Sequence, residues 1–239
     1  MDRFEGLRTR KSLIGYLTLG YPDRTRFFQA VAAVGNAGID ALEVGLPSRD
    51  PYMDGKVIAD SHAHALENGW TSEDLQDDLH KVREIMGNIP LLLMGYRQDI
   101  QAVIHGDLNA VDGIICPDGQ ELSLPESLAS IQICDETMDD VLLKDKVSRA
   151  SGFIYVLSAR GKTGAKQEVP SAYVQTIQRL KNLTDLPMLV GFGVNSPDAA
   201  RTVVNNNADG VIIGSGIVQR LDDLDNLIRY LVEIKSALS

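Results

Sequence analysis

Two carboxylates eleven residues apart, Glu43 and Asp54, stand in the stretch ALEVGLPSRDPYMDG at residues 41–55. Glu43 interrupts a short apolar run, and Asp54 follows in a Pro- and Gly-containing loop that also carries Asp50. Side chains alternate between the two faces of a strand. If 41–45 is a strand, Leu42 and Val44 share one face, and Ala41, Glu43 and Gly45 share the other. The large pair suits a helix layer, and the small residues with Glu43 suit the inside of a closed sheet. A carboxyl group taken out of water holds its proton more tightly, and a raised pKa is what a general acid needs at neutral pH. A Glu hydrogen-bonded to a donor on the neighbouring strand is the packing alternative, and both readings stand on the residues. Asp54, in the loop that follows, is a candidate for an active-site carboxylate, or else caps a helix starting near residue 56. Asp50 before Pro51 suits a turn.

A second set of residues could hold an anion. Gly191-Phe192-Gly193 and Gly214-Ser215-Gly216 each end an apolar run. Glycines let backbone N–H groups approach phosphate oxygens, and Ser215 adds a hydroxyl donor. The stretch SARGKTGAKQEVP at 158–170 has the composition of a lid, with Gly164 within reach of the same phosphate and Arg160, Lys162 and Lys166 able to steer it. Tyr96 and Tyr155 are lining residues on two further runs. No metal site is expected: His62, His64, His80 and His105 lack ligand spacing, and His62 and His64, two apart on a helix, face different ways. Trp70 reads as a packing or loop residue, and Cys116 and Cys134 as reduced thiols with neither metal spacing nor a disulfide-rich setting.

The elements that must position these groups repeat as a strand followed by a helix. Strand-like runs occur at 13–19, 41–45, 91–96, 111–116, 130–134, 152–158, 187–193 and 209–215. Amphipathic stretches at 24–35, 57–68, 72–86, 138–148, 170–182, 197–206 and 222–237 lie between and after them. Eight such units in 239 residues favour a single-domain (β/α)₈ TIM barrel over residues 1–239, with an open doubly wound sheet as the competitor. In a barrel, Asp54 and both glycine sets fall at the C-terminal face, and the loops after strands seven and eight are the usual phosphate site. The fourth unit is short, because residues 119–129, with Pro125 among them, leave little room for a helix.

Composition narrows the function classes. With 33 acidic against 23 basic residues, the formal charge of −10 argues against a nucleic-acid partner. No apolar run nears the roughly 20 residues of a membrane-spanning helix, and the charged start MDRFEGLRTRK does not resemble a signal peptide. The expectation is a cytoplasmic protein.

These motifs together resemble the tryptophan synthase alpha chain family. The carriers are GYLTLGYPD at 15–23, GIDALEVGLPSRDPYMDG at 38–55, LLLMGY at 91–96, DGIICPD at 112–118, GFIYVLSARGKTG at 152–164, LPMLVGFGVNSP at 186–197 and ADGVIIGSGIV at 208–218. The resemblance implies a barrel that cleaves indole-3-glycerol phosphate to indole and glyceraldehyde 3-phosphate. It also implies an α₂β₂ complex with a beta chain that carries the pyridoxal phosphate, this chain having no cofactor of its own. Matched by motif, Glu43 is the catalytic glutamate and Asp54 the catalytic aspartate. Gly164, Gly193, Gly214 and Ser215 match phosphate contacts, Tyr155 a substrate-pocket tyrosine, and Tyr96 lies in the matching strand-three motif. The chain departs from the family pattern at Ser48, Arg49 and Met53, at Tyr96-Arg97-Gln98, and at Gly119-Gln120. Two neighbouring readings are a diverged lyase working without a partner, and a weakly catalytic subunit that mainly activates a beta chain.

Overall fold

In a computed structural model, which describes residues 3–119, 122–158, 172–191 and 193–239, the eight runs become eight parallel strands. They are β1 (Ser12–Thr18), β2 (Ala41–Gly45), β3 (Leu91–Met94), β4 (Gly113–Ile115), β5 (Ala129–Cys134), β6 (Ile154–Leu157), β7 (Met188–Gly191) and β8 (Gly210–Ile213). Each pairs with its sequence neighbours, and β8 closes on β1. The expected barrel forms, and the open sheet does not.

Alternation along the strands divides the apolar residues into two cores. Leu42, Val44, Leu91, Leu93, Val190 and Val211 face outward under the helices. Ile14, Ala41, Leu92, Ile115, Ile131, Phe153, Leu189 and Ile212 fill the inside. The bottom is plugged by α1 (Glu5–Thr9), whose Leu7, with Phe4 just before it, joins the inner cluster.

Four residues pin strand starts at that same end. Asp40, before β2, accepts from the Leu13 N–H of β1 at 2.8 Å. Asp112, before β4, accepts from Leu91 of β3 at 2.8 Å, and Asp209, before β8, from Met188 of β7 at 3.0 Å. Ser151, before β6, takes the Ser130 N–H of β5 through its hydroxyl at 2.9 Å. Each even strand thus sets the register of the odd strand before it, and a one-residue slip, which would turn Glu43 outward, loses these bonds.

The outer layer comprises α2 (Arg24–Asn36), α3 (Lys56–Glu67), α4 (Leu75–Met86), α5 (Arg97–Val103), α6 (Asp140–Arg149), α7 (Ala172–Lys181), α8 (Pro197–Asn205), α9 (Ser215–Val218) and α10 (Leu224–Ala237). Asp23, Asp139, Ser196 and Asp223 cap α2, α6, α8 and α10 by accepting a backbone N–H of the first turn. Sequence periodicity does not mark α1, α5 or α9, each of seven residues or fewer. Among the described residues no helix separates β4 from β5, as the short connection predicts. A groove of about 420 Å³, lined in part by Leu122, Leu124 and Leu128, occupies that place.

Candidate active site

The C-terminal mouth of the barrel holds a cavity lined by Tyr16, Glu43, Asp54, Ile58, Met94, Tyr155, Gly193, Val194, Ile212, Gly214 and Ser215. Glu43 rises from the middle of β2, beside Tyr16 of β1 and Leu92 of β3 in register. It is 1% exposed, and its Oε1 has no hydrogen-bond partner among the described residues. The packing alternative of a donor on a neighbouring strand is therefore not what is seen at that oxygen. Burial without compensation pushes the carboxyl up from 4.5 to about 8. At neutral pH Glu43 is mostly the neutral acid, able to give a proton.

Asp54 arrives by a different route. Gly55, rather than Asp54, occupies the N-cap of α3, with no side-chain cap. The reading of Asp54 as a cap is thereby corrected. The Tyr96 hydroxyl donates to Asp54 Oδ2 at 2.7 Å and accepts the Met53 N–H at 3.1 Å, so one phenol holds two consecutive loop residues. Burial raises the Asp54 pKa, and the Tyr96 hydrogen bond pulls it back. Asp50 is exposed, and its N–H turns back to Ser48 Oγ at 3.4 Å.

Two tyrosines wall the cavity in matching fashion. Tyr16 on β1 lies across Gly45 at the end of β2, where a Cβ would meet its Oη at 2.0 Å. Tyr155 on β6 lies across Gly191 at the end of β7, where a Cβ would meet its Oη at 2.2 Å. Gly191 therefore makes room for a ring and not for an anion. Gly216 likewise gives space to Tyr230 of α10, whose Oη would be 2.4 Å from a Cβ there. Gly193 and Gly214 differ from these two. Gly193 has φ +77°, with Ser158 Oγ as the nearest neighbour of a Cβ at 3.8 Å, and a Cβ on Gly214 would meet nothing closer than 3.6 Å. Both line the cavity with Ser215, the first residue of α9. Burial and the nearby Glu43 and Asp54 keep the Tyr155 phenol protonated.

Among the described residues no group of three His, Cys, Asp or Glu side chains could hold a metal ion. None of the described helices is long and apolar enough to cross a membrane.

The family model for the tryptophan synthase alpha chain matches residues 5–237. This chain belongs to that family. The tryptophan synthase alpha chain of Chloroflexus aurantiacus is 32% identical over 260 residues, covering 100% of this chain and 97% of the relative. Tryptophan synthase from M. tuberculosis in its aminoacrylate-bound form has a chain that superposes with a TM-score of 0.86 at 27% identity, covering 100% of both chains. The tryptophan synthase α₂β₂ complex of Pyrococcus furiosus has a chain with TM-score 0.81 at 27% identity, covering 95% of this chain and 98% of that one. Membership makes the protein a carbon–carbon lyase acting on indole-3-glycerol phosphate.

Set against the sites expected for an alpha chain, the fold brings Glu43, Asp54, Tyr155, Gly193, Gly214 and Ser215 around one cavity. Tyr96 stands behind that wall as the support of Asp54. Gly164 lies outside the described residues, as do Arg160, Lys162 and Lys166. Tyr16, Ile58, Met94, Val194 and Ile212 complete the lining and were not singled out by sequence. Tyr16 had a usable signal, since it shares the inward face of its strand with Ile14, as Glu43 does with Ala41.

Proposed function

We propose that Glu43 moves the protons and Asp54 holds the indole ring in the cleavage of indole-3-glycerol phosphate, with the phosphate at Gly193, Gly214 and Ser215. The observation that carries this reading is a buried Glu43 carboxyl, its Oε1 without a partner among the described residues, opening onto the cavity that Asp54 also lines. The bond from indole C3 to the glycerol chain breaks once C3 is protonated, because the ring then accepts the electron pair. Glu43, neutral near pH 7, donates that proton. The resulting carboxylate takes the proton of the hydroxyl on the adjoining glycerol carbon as its C–O bond becomes the aldehyde. Indole and glyceraldehyde 3-phosphate leave, and Glu43 ends protonated as it began.

Positive charge develops on the indole nitrogen when C3 is protonated. The Asp54 carboxylate accepts that N–H, and its charge is worth most in a site shielded from water. Tyr96 holds the carboxylate from the far side, so it is aimed before substrate arrives. At the ends of β7 and β8, the left-handed backbone of Gly193 and the open Gly214 leave space for phosphate oxygens, with the Ser215 hydroxyl as a further donor. This acidic chain thus needs no surplus of basic residues to hold an anion.

The Pyrococcus furiosus α₂β₂ assembly supports a beta chain as partner in a heterotetramer, and on this reading the pyridoxal phosphate belongs to that beta chain and not to this one. The same reading places the enzyme in the cytoplasm. Its test is indole release from indole-3-glycerol phosphate by the purified chain, with and without a beta chain and serine, and with Glu43→Gln as control. Release accelerated by the beta chain and lost in Glu43→Gln is expected. Fast release indifferent to the beta chain would assign a stand-alone lyase instead. Full activity in Glu43→Gln would overturn the assignment of Glu43.

A further inference from the structure

Under the loop that carries Asp54 runs a buried chain of hydrogen bonds with one possible direction. The Ser48 N–H donates to His62 Nδ1 at 2.9 Å. A ring nitrogen that accepts carries no proton, so the proton of the neutral imidazole is on Nε2. His62 Nε2 lies 3.0 Å from Tyr16 Oη and donates to it. The phenol, having accepted, donates onward to Thr18 Oγ1 at 3.2 Å. Thr18 donates to Ser61 Oγ at 2.6 Å, and Ser61 ends the chain on the Ile58 carbonyl at 2.7 Å. Ser48, His62, Tyr16, Thr18 and Ser61 are each at most 5% exposed. Burial lowers the His62 pKa to about 4, which keeps the ring neutral and the direction fixed through the working pH range.

The chain joins the parts that must agree for catalysis. Ser48 lies in the loop that runs from β2 to Asp54, and Tyr16 sits in register with Glu43 and walls the same cavity. His62 and Ser61 belong to α3, the helix that this loop enters. We propose that His62 is a positioning residue for the lyase reaction. Through Nδ1 it fixes the start of the Asp54 loop, and through Nε2 it fixes the Tyr16 ring beside Glu43, so the two carboxylates keep one mutual geometry. This inference rests on the roles assigned above to Glu43 and Asp54.

Each half of the imidazole has a separate mimic. An asparagine amide reaches about as far as Nδ1, and a glutamine amide about as far as Nε2. His62→Asn keeps the Ser48 contact and loses Tyr16; His62→Gln does the reverse. Tyr16→Phe leaves the ring and removes the relay. For each variant, kcat and KM for indole release and the affinity for glycerol 3-phosphate, an unreactive phosphate probe, are measured. The expected result is a kcat lowered about 10- to 100-fold in His62→Gln, with glycerol 3-phosphate affinity within about twofold of the parent protein, since Gly193, Gly214 and Ser215 follow β7 and β8 and are not part of the loop after β2 that loses its contact. In an Asp54→Asn background His62→Gln should cost little more, because its effect passes through Asp54.

Unchanged kcat in His62→Gln, or losses that simply multiply in the double variant, would overturn the proposal while leaving the catalytic roles intact. Full activity in Glu43→Gln and Asp54→Asn would instead remove the catalytic reading itself. Where a His62 variant does not fold, the parent protein still decides. Ring ¹⁵N shifts of His62 should show a protonated Nε2 and a bare Nδ1 that persist to about pH 5, and the opposite tautomer would refute the chain's direction.

Discussion

Replacing Glu43 by Gln should harm catalysis and help folding, and the two effects have one cause. An ordinary glutamate titrates near 4.5 and the buried Glu43 at about 8. Each pH decade between these values is worth about 1.36 kcal/mol of differential proton affinity. The sign follows from the raised value: below pH 4.5 both states hold the proton and nothing is lost. As the pH rises from 4.5 through 8, the unfolded chain ionises first, and the folded state loses up to about 5 kcal/mol relative to it. Glutamine has the same shape and no proton to lose. Urea unfolding of the parent protein and Glu43→Gln at pH 5, 7 and 9 should therefore show a stability difference growing in favour of the variant. About 3 kcal/mol should develop by pH 7, and most of the remainder by pH 9. Over the same range the variant should release indole about 10²- to 10⁴-fold more slowly. In the parent protein kcat/KM should fall as pH passes about 8, where the free enzyme loses its acid. A stability difference that does not change with pH would refute the argument, because Glu43 would then be either ionised with a partner or solvated.

Three further perturbations test other parts of the structure. Tyr96→Phe removes the hydrogen bond to Asp54 and should lower kcat for indole release about tenfold without changing glycerol 3-phosphate affinity; an unchanged kcat would mean Asp54 is aimed by something else. Gly193→Val forces a β-branched residue to φ +77° and fills the space kept for phosphate, so calorimetry should find affinity for glycerol 3-phosphate reduced about 10-fold or more, and parental affinity would place the phosphate elsewhere. Leu7→Ala hollows the plug of the inner core, where Leu7 is 1% exposed, and should cost about 2–5 kcal/mol in denaturant unfolding with Glu43 chemistry intact. A loss under about 1 kcal/mol would show that α1 does not close the barrel.

Much of this molecule was legible because the decisive patterns are local. Alternation over five residues turned Glu43 inward and Leu42 and Val44 outward, and the structure shows that division. The eight strand-like runs and the short connection after β4 likewise needed nothing beyond their own residues and neighbours. Short helices escaped, since α1, α5 and α9 contain at most two turns and carry no measurable 3.6-residue period. The glycines could not be sorted by sequence either. Gly191 and Gly193 are alike in sequence, but the fold lays Tyr155 over the first and leaves the second open.

Asp54 illustrates the boundary most directly. Locally it fits a helix cap, and a cap needs only the backbone three residues on. The fold offers it instead the phenol of Tyr96, 42 residues away, and gives the cap position to Gly55. His62 meets Tyr16 across 46 residues, and its tautomer is set by a backbone N–H that no spacing rule names. Which groups face the inside of the barrel follows from consecutive residues, because strand alternation is a local property. Which partner each group has, and so its proton affinity and aim, follows only from closure of the barrel, because burial and hydrogen bonding depend on what closure brings alongside.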